Sequence, residues 1–308
     1  MREEDFFKCS DGHKIAYNIW LPDEGVTPRY FLQIIHGMVE HSLRYNSFAK
    51  FLNENGVAVF AADQRGHGKT IGDGDVPGYF GDKNGWLRVS EDNFELADFI
   101  SSKYGVSQMF LMGHSMGSFL ARTVMVNHPD FYSGVTIMGT GSSQGIVGKA
   151  GKVIARLEIR RKGKTAKGET MNKLAFGPYA KSVKNATTSF DWLSTDPEQV
   201  QKYLDDPLCG FVCTNSFYLD LLYGVEYANS RTKVKALPKD LPLLIISGED
   251  DPVGGMGRGV RKVYNLYKKA GIKDVSISLV KGGRHEILNE KMSKDVYDQI
   301  YNWMEARK

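Results

Sequence analysis

Short apolar runs alternate with amphipathic stretches along most of the chain. Residues 15–20, 30–35, 57–61, 109–112, 135–138, 243–247 and 275–280 are compact apolar segments of strand length. Between them lie segments with helical spacing. One covers 48–53 and stops at Asn55-Gly56, and another covers 86–104, with Leu87, Phe94, Leu96, Ala97 and Ile100 on one face and Gly105 at its end. Further helices are predicted over 118–127, halted by Pro129, through Val263, Leu266 and Tyr267, and near 296–304. Strands alternating with helices predict a mostly parallel sheet covered on both faces, an α/β architecture. A hairpin of 5–9 and 14–20 around Asp11-Gly12 adds antiparallel strands at one edge and brings the count to eight.

The rhythm breaks between Gly139 and Pro238. About a hundred residues there contain helical segments and many aromatics but no clear strand. This predicts a core over 1–139 and 239–308, with 140–238 inserted as a helical cap over the carboxyl ends of the strands, where open α/β sheets bind ligands.

Within this frame one pentapeptide carries chemistry. Gly113-His114-Ser115-Met116-Gly117 sits between the apolar run 109–112 and the helix that follows. Strand, tight turn and helix is the setting of a G-x-S-x-G nucleophile turn. Ser115 occupies the strained position, and the two glycines keep Cβ atoms out of the strand–helix crossing.

A serine hydroxyl needs a base, and the base needs a carboxylate to hold it. The run 243–247 empties into Gly248-Glu249-Asp250-Asp251-Pro252, and the run 275–280 into Gly282-Gly283-Arg284-His285-Glu286. Ser115, an acid among Glu249, Asp250 and Asp251, and His285 therefore follow in the order Ser, acid, His. Two N–H donors are expected for the oxyanion, from Met116 and from Met38 in the His36-Gly37-Met38 loop. His36 precedes the nucleophile and reads as a loop-ordering residue. Asp63-Gln64-Arg65-Gly66-His67-Gly68-Lys69-Thr70 lacks the first glycine of a phosphate loop and reads as a supporting turn.

Together, the segment from His36 to Tyr45, the Asp63–Gly68 turn, Gly113–Gly117 and Gly283-Arg284-His285-Glu286 resemble the motifs of the monoacylglycerol lipase/lysophospholipase branch of the α/β-hydrolase superfamily. The resemblance covers the two flanks and is weakest in the cap. It implies a serine hydrolase acting on carboxylic esters with a lipid-like acyl chain, without metal or cofactor. It also places the acid three residues after Gly248, at Asp251. Met38 departs from the alanine common in the branch, which narrows the acyl entrance.

Charge and composition set the remaining limits. A net charge of +4 is too small to imply nucleic acid, and no stretch approaches eighteen apolar residues. Three cysteines at unrelated spacings argue for a reducing compartment, and a charged N-terminus argues against a secretory leader, so a cytoplasmic protein is expected. Cys209 and Cys213 lack the partner pair of a zinc motif.

The positive charge is concentrated between Gly148 and Lys184, where eleven Lys and Arg face only Glu158 and Glu169. Ile146, Val147, Ala150, Val153, Ile154 and Leu157 run through this segment as an apolar stripe. It reads either as a transient contact with an anionic membrane surface or as a solvated basic face whose stripe packs on the core. The need to bury such a stripe favours the second. An ester hydrolase is the leading function. An aminopeptidase of the same fold would need an acidic cap, and an idle lipid- or membrane-binding scaffold would need no triad.

Overall fold

The structure, a computed structural model describing residues 1–308, begins with a hairpin of β1 (Arg2–Lys8) and β2 (Lys14–Trp20), pairing Arg2 with Trp20. There follow β3 (Phe31–Ile35), α1 (Asn46–Glu54), β4 (Ala58–Ala62), α2 (Gly85–Tyr104), β5 (Met109–His114), α3 (Met116–Asn127) and β6 (Gly134–Met138). Five helices come next: α4 (Gly145–Lys162), α5 (Glu169–Ala180), α6 (Pro197–Asp205), α7 (Asn215–Ala228) and α8 (Arg231–Lys235). The chain closes with β7 (Leu243–Gly248), α9 (Arg258–Lys269), β8 (Val275–Val280) and α10 (Ser293–Glu305).

One eight-stranded sheet runs in the order β1-β2-β4-β3-β5-β6-β7-β8. β1 and β2 are antiparallel to their neighbours, and the rest are parallel. The central strands β3 to β7 are buried along their whole length, which explains why they read as nearly continuous apolar runs. β1 differs from the expected 5–9: it starts at Arg2 and ends at Lys8, with Cys9 already in the turn. It is an edge strand exposed on nearly all its residues, so no apolar alternation marked its start.

Two cores flank the sheet. α2, α3 and α9 bury Trp86, Leu96, Leu120, Val263 and Tyr267 on one face, while α1 and α10 bury Phe48, Leu52, Ile300 and Trp303 on the other. The helices between β6 and β7 join the first core through Ala155, Met171, Trp192, Phe217 and Tyr218. Arg122 on α3, fully buried, ties both ends of that segment down. It donates to Thr140 Oγ1 and the Gly141 carbonyl at one end and to the Ala228 carbonyl and Asn229 Oδ1 at the other.

The apolar stripe of α4 does not pack on the core as expected. Ile146 and Val147 are 84% and 72% exposed, Val153 and Leu157 about half, and of the stripe only Ile154 packs against the core, next to the buried Ala155. The reason is geometric: α4 packs along α7 on one side, and α5 covers little of the other faces.

Candidate active site

The loops after β3, β5, β7 and β8 converge at the carboxyl edge of the sheet, beside the point where chain order reverses between β3 and β5. Ser115 stands between β5 and α3 with φ 54° and ψ −120°. A non-glycine residue there is strained by about 1–3 kcal/mol. Tight packing holds it. A Cβ on Gly113 would lie 2.1 Å from the Gly117 carbonyl oxygen, and one on Gly117 would lie 2.0 Å from that of Ile35. The Ser115 amide is itself fixed on the Met138 carbonyl at 3.0 Å.

His285 Nδ1 donates to Asp251 Oδ2 at 3.0 Å, and both side chains are buried. Asp251 also accepts from Ser247 Oγ (3.0 Å) and from the Val253 amide (2.8 Å). Burial pushes the Asp251 carboxyl up, but the His285 ring and these donors outweigh it and hold it below the ordinary aspartate value. Glu249 and Asp250 point to solvent. Of the three acids open from sequence, only Asp251 therefore meets His285. No hydrogen bond joins the Ser115 hydroxyl to the His285 ring in this structure; such contacts often tighten only around a substrate.

The loop after β3 packs directly on the serine: a Cβ on Gly37 would lie 3.1 Å from Ser115 Cβ. The Gly37 amide is already taken by Glu40 Oε1 at 2.5 Å, whereas the Met38 amide donates to no protein acceptor. Met116 opens α3, so its amide is among those a helix leaves free. His36 accepts the Gln64 amide at Nε2 and donates from Nδ1 to the Gly37 carbonyl, which is the loop-ordering role expected of it. In the supporting turn, Asp63 accepts from Ser42 and from the Lys69 amide.

Behind these groups lies a buried ionic network that sequence reasoning did not single out. Glu40 accepts from Tyr45 Oη (2.9 Å), from Arg44 (2.9 Å) and from His114 Nδ1 (3.1 Å), besides Gly37. His114 Nε2 donates to the His285 carbonyl at 3.2 Å. Both partners of His114 are acceptors, an arrangement that favours the charged ring. Burial would lower its pKa, but the hydrogen bond and charge of Glu40 raise it above the ordinary histidine value. Arg44 also grips Glu286 with two bonds of 2.6 and 2.7 Å. Burial opposes ionisation of Glu40 and Glu286, yet His114 and Arg44 hold Glu40 far below its usual range, and Arg44 lowers Glu286. The available signal was that Glu40, Arg44, His114 and Glu286 all lie within the motifs themselves.

A strap from the helical segment covers the histidine. Arg284 donates to the Asp191 and Ser194 carbonyls, and the Glu286 amide donates to the Leu193 carbonyl at 2.7 Å. This fixes the Trp192 ring 5.1 Å from that of His285, with Phe176 and Tyr179 from α5 against it. Of the other aromatics in this segment, Phe217 and Tyr218 are core, Phe190 and Phe211 are half-buried, and Tyr223 is exposed.

This sheet order, with a serine on a strained strand-to-helix turn and an Asp–His pair after the last two strands, defines an α/β-hydrolase. Residues 27–292 match the Hydrolase_4 family, described as serine aminopeptidase, S33, and the chain belongs to that family. It is 26% identical to a monoacylglycerol lipase of Mycolicibacterium smegmatis, covering 98% of this chain and 97% of that one. It is also 26% identical to the monoglyceride lipase of Homo sapiens, covering 97% and 89%. Among solved structures, a thermostable carboxyl esterase from Bacillus coagulans in complex with glycerol superposes with a TM-score of 0.90 at 29% identity over 99% and 98% of the two chains. A lipase in its open form gives 0.90 at 25% identity over 99% of both. The chain is a serine hydrolase of the esterase and lipase type. No helix is long and apolar enough to cross a membrane.

Proposed function

We propose that the protein hydrolyses monoacylglycerol-like or lysophospholipid-like esters through an acyl-enzyme on Ser115. The observation that carries this reading is the Asp251–His285 hydrogen bond of 3.0 Å beside a serine strained to φ 54°. Because Nδ1–H is spent on Asp251, Nε2 carries the lone pair and serves as the base. Ser115 Oγ attacks the ester carbonyl and its proton passes to Nε2. The Met38 and Met116 amides hold the oxyanion, and collapse expels the alcohol, which takes the proton back from His285. Water then enters and attacks the acyl carbon while losing a proton to the same nitrogen, and collapse breaks the bond to Ser115 Oγ, which takes that proton back as the acid leaves.

The lipid-like substrate follows from the names of the relatives and from the apolar surroundings of His285. The division into a core of 1–139 and 239–308 and a cap of 140–238 belongs to the same reading. So does a transient contact with anionic membrane, supported by the exposed Ile146, Val147, Val153 and Leu157 beside the basic residues of α4. Three free thiols suit a reducing, cytoplasmic setting. An aminopeptidase needs an acidic site for a free amine, and the strongly basic stretch from Gly148 to Lys184 disfavours that reading.

The test is a panel of monoacylglycerols, lysophospholipids and aminoacyl amides of graded size. Turnover is expected to rise with acyl length among the esters and to vanish in Ser115→Ala. Preference for aminoacyl amides would overturn the substrate class.

A further inference from the structure

Away from the serine, His41, Asp206 and Cys209 bring an imidazole nitrogen, a carboxylate oxygen and a thiol within 4.8 Å of one another. Chain spacing gave no zinc signature because the histidine lies 165 residues from the aspartate. His41 follows the Met38 loop, whereas Asp206 and Cys209 form one turn after α6, closed by the Cys209 amide on the Asp206 carbonyl at 3.0 Å. That turn is already aimed. Asp206 Oδ1 accepts the Leu208 amide, which leaves Oδ2 directed at His41 Nε2, 2.8 Å away. It is also docked, since the Gly210 amide and Tyr203 Oη both donate to the Val39 carbonyl. Val39 sits at φ 51°, a strained position next to the Met38 amide.

We infer that His41, Asp206 and Cys209 form an exchangeable site for Zn²⁺ or a similar borderline-soft divalent ion, and that filling it slows hydrolysis by shifting the Met38 loop. One nitrogen, one oxygen and one sulfur donor is a set that suits such an ion, and three protein ligands leave a fourth position for water. Metal–ligand bonds of about 2.0–2.3 Å place tetrahedral neighbours about 3.3–3.8 Å apart, so His41 Nε2 and Asp206 Oδ2, now 2.8 Å apart, must part by roughly half an ångström to admit the ion, while the Cys209 sulfur, within 4.8 Å of both, moves by roughly an ångström or less. Binding releases one proton, from the Cys209 sulfur to solvent, while the His41 proton moves from Nε2 to Nδ1. Burial pushes the Cys209 thiol up, so the ion itself must displace the thiol proton; the Arg44 charge opposes that shift but is taken up by Glu40 and Glu286. With Asp206 those carboxylates outnumber the neighbouring cations Arg44 and His114. The displacement of His41 by the ion is transmitted through Val39 to Met38, and a donor misplaced by about an ångström can cost on the order of 10² in rate. The effect on hydrolysis rests on the oxyanion role proposed for Met38; the binding of the ion does not.

The experiment is titration of the full chain with Co²⁺ as a spectroscopic stand-in, followed by Zn²⁺ in a soluble p-nitrophenyl ester assay. One equivalent of Co²⁺ is expected to give a thiolate-to-cobalt charge-transfer band and strong visible absorption of a four-coordinate ion. Cys209→Ser should abolish the band, Asp206→Asn should weaken binding at least tenfold, and Cys9→Ser should change neither. Zn²⁺ should lower wild-type hydrolysis at least tenfold, reversibly with EDTA, while Cys209→Ser keeps its metal-free activity and resists the ion. Absence of the band, or its persistence in Cys209→Ser, would overturn the site. A band without inhibition would overturn the coupling to Met38, and loss of all ester hydrolysis activity would count against the function and leave the cobalt result standing.

Discussion

Nδ1 of His114 lies 3.1 Å from Oε1 of Glu40, and both side chains are buried. The pair joins three catalytic loops, because Glu40 also holds the Gly37 amide and His114 also holds the His285 carbonyl.

The two partners respond to pH with opposite signs. His114 is raised, so its contribution to stability is complete below the unfolded histidine value and is lost as pH rises through the folded one. Glu40 is depressed, so its contribution is present above the unfolded glutamate value and is lost as pH falls. Urea unfolding from about pH 6 to about pH 9 should therefore show wild type losing stability relative to His114→Gln, given an unfolded histidine value of about 6.5. Parallel pH profiles for the two proteins would show that the ring is not charged in the native state.

Asp251→Asn should be far more damaging than Asp250→Asn. Only Asp251 is buried against His285, and its replacement leaves the ring in the wrong tautomer, which costs on the order of 10⁴ in turnover in other triads. Rates within tenfold of each other for the two variants, measured on a soluble ester, would refute the assignment.

Gly117→Ala tests how the strained serine is held. Its new methyl would meet the Ile35 and His36 carbonyl oxygens at 2.0 and 2.6 Å, both backbone atoms without room to yield. A loss of about 3 kcal/mol or more is expected, at or beyond the usual cost of overpacking. Unchanged denaturant midpoint and activity would mean that the crossing of β5 and α3 is looser than described.

On α4, replacing Ile146, Val147 and Leu157 by Ser should reduce partitioning to anionic vesicles, and reversing Arg160, Arg161 and Lys162 to Glu should reduce it further. The charged part should fade with salt, because the Debye length falls from about 10 Å at 0.1 M to about 3 Å at 1 M. Hydrolysis of a small soluble ester should stay near wild type, since these residues lie on an exposed helix face. Vesicle binding indifferent to both sets would leave the patch without a membrane role.

The sequence made the sheet legible because buried parallel strands are mostly apolar, as Phe31–Ile35 and Met109–His114 are. Ser115 and the Asp251 region were legible because each follows such a strand, and His285 because Val275–Val280 keeps enough apolar positions to read as one. β1 was placed late because an edge strand needs no apolar face. The fate of the α4 stripe was not legible either: helical spacing tells which residues share a face, but not whether another element arrives to cover it. The Glu40–Arg44–His114–Glu286 network escaped because buried charges look like surface charges until their partners are known.

The central claim is that Ser115 becomes acylated with His285 as its base, and mass spectrometry after fluorophosphonate treatment tests it most directly. Wild type should gain one adduct, mapped to the peptide carrying Ser115. Ser115→Ala should gain none, and His285→Ala should label slower by orders of magnitude. An adduct on another residue, or equal labelling of wild type and Ser115→Ala, would contradict the account.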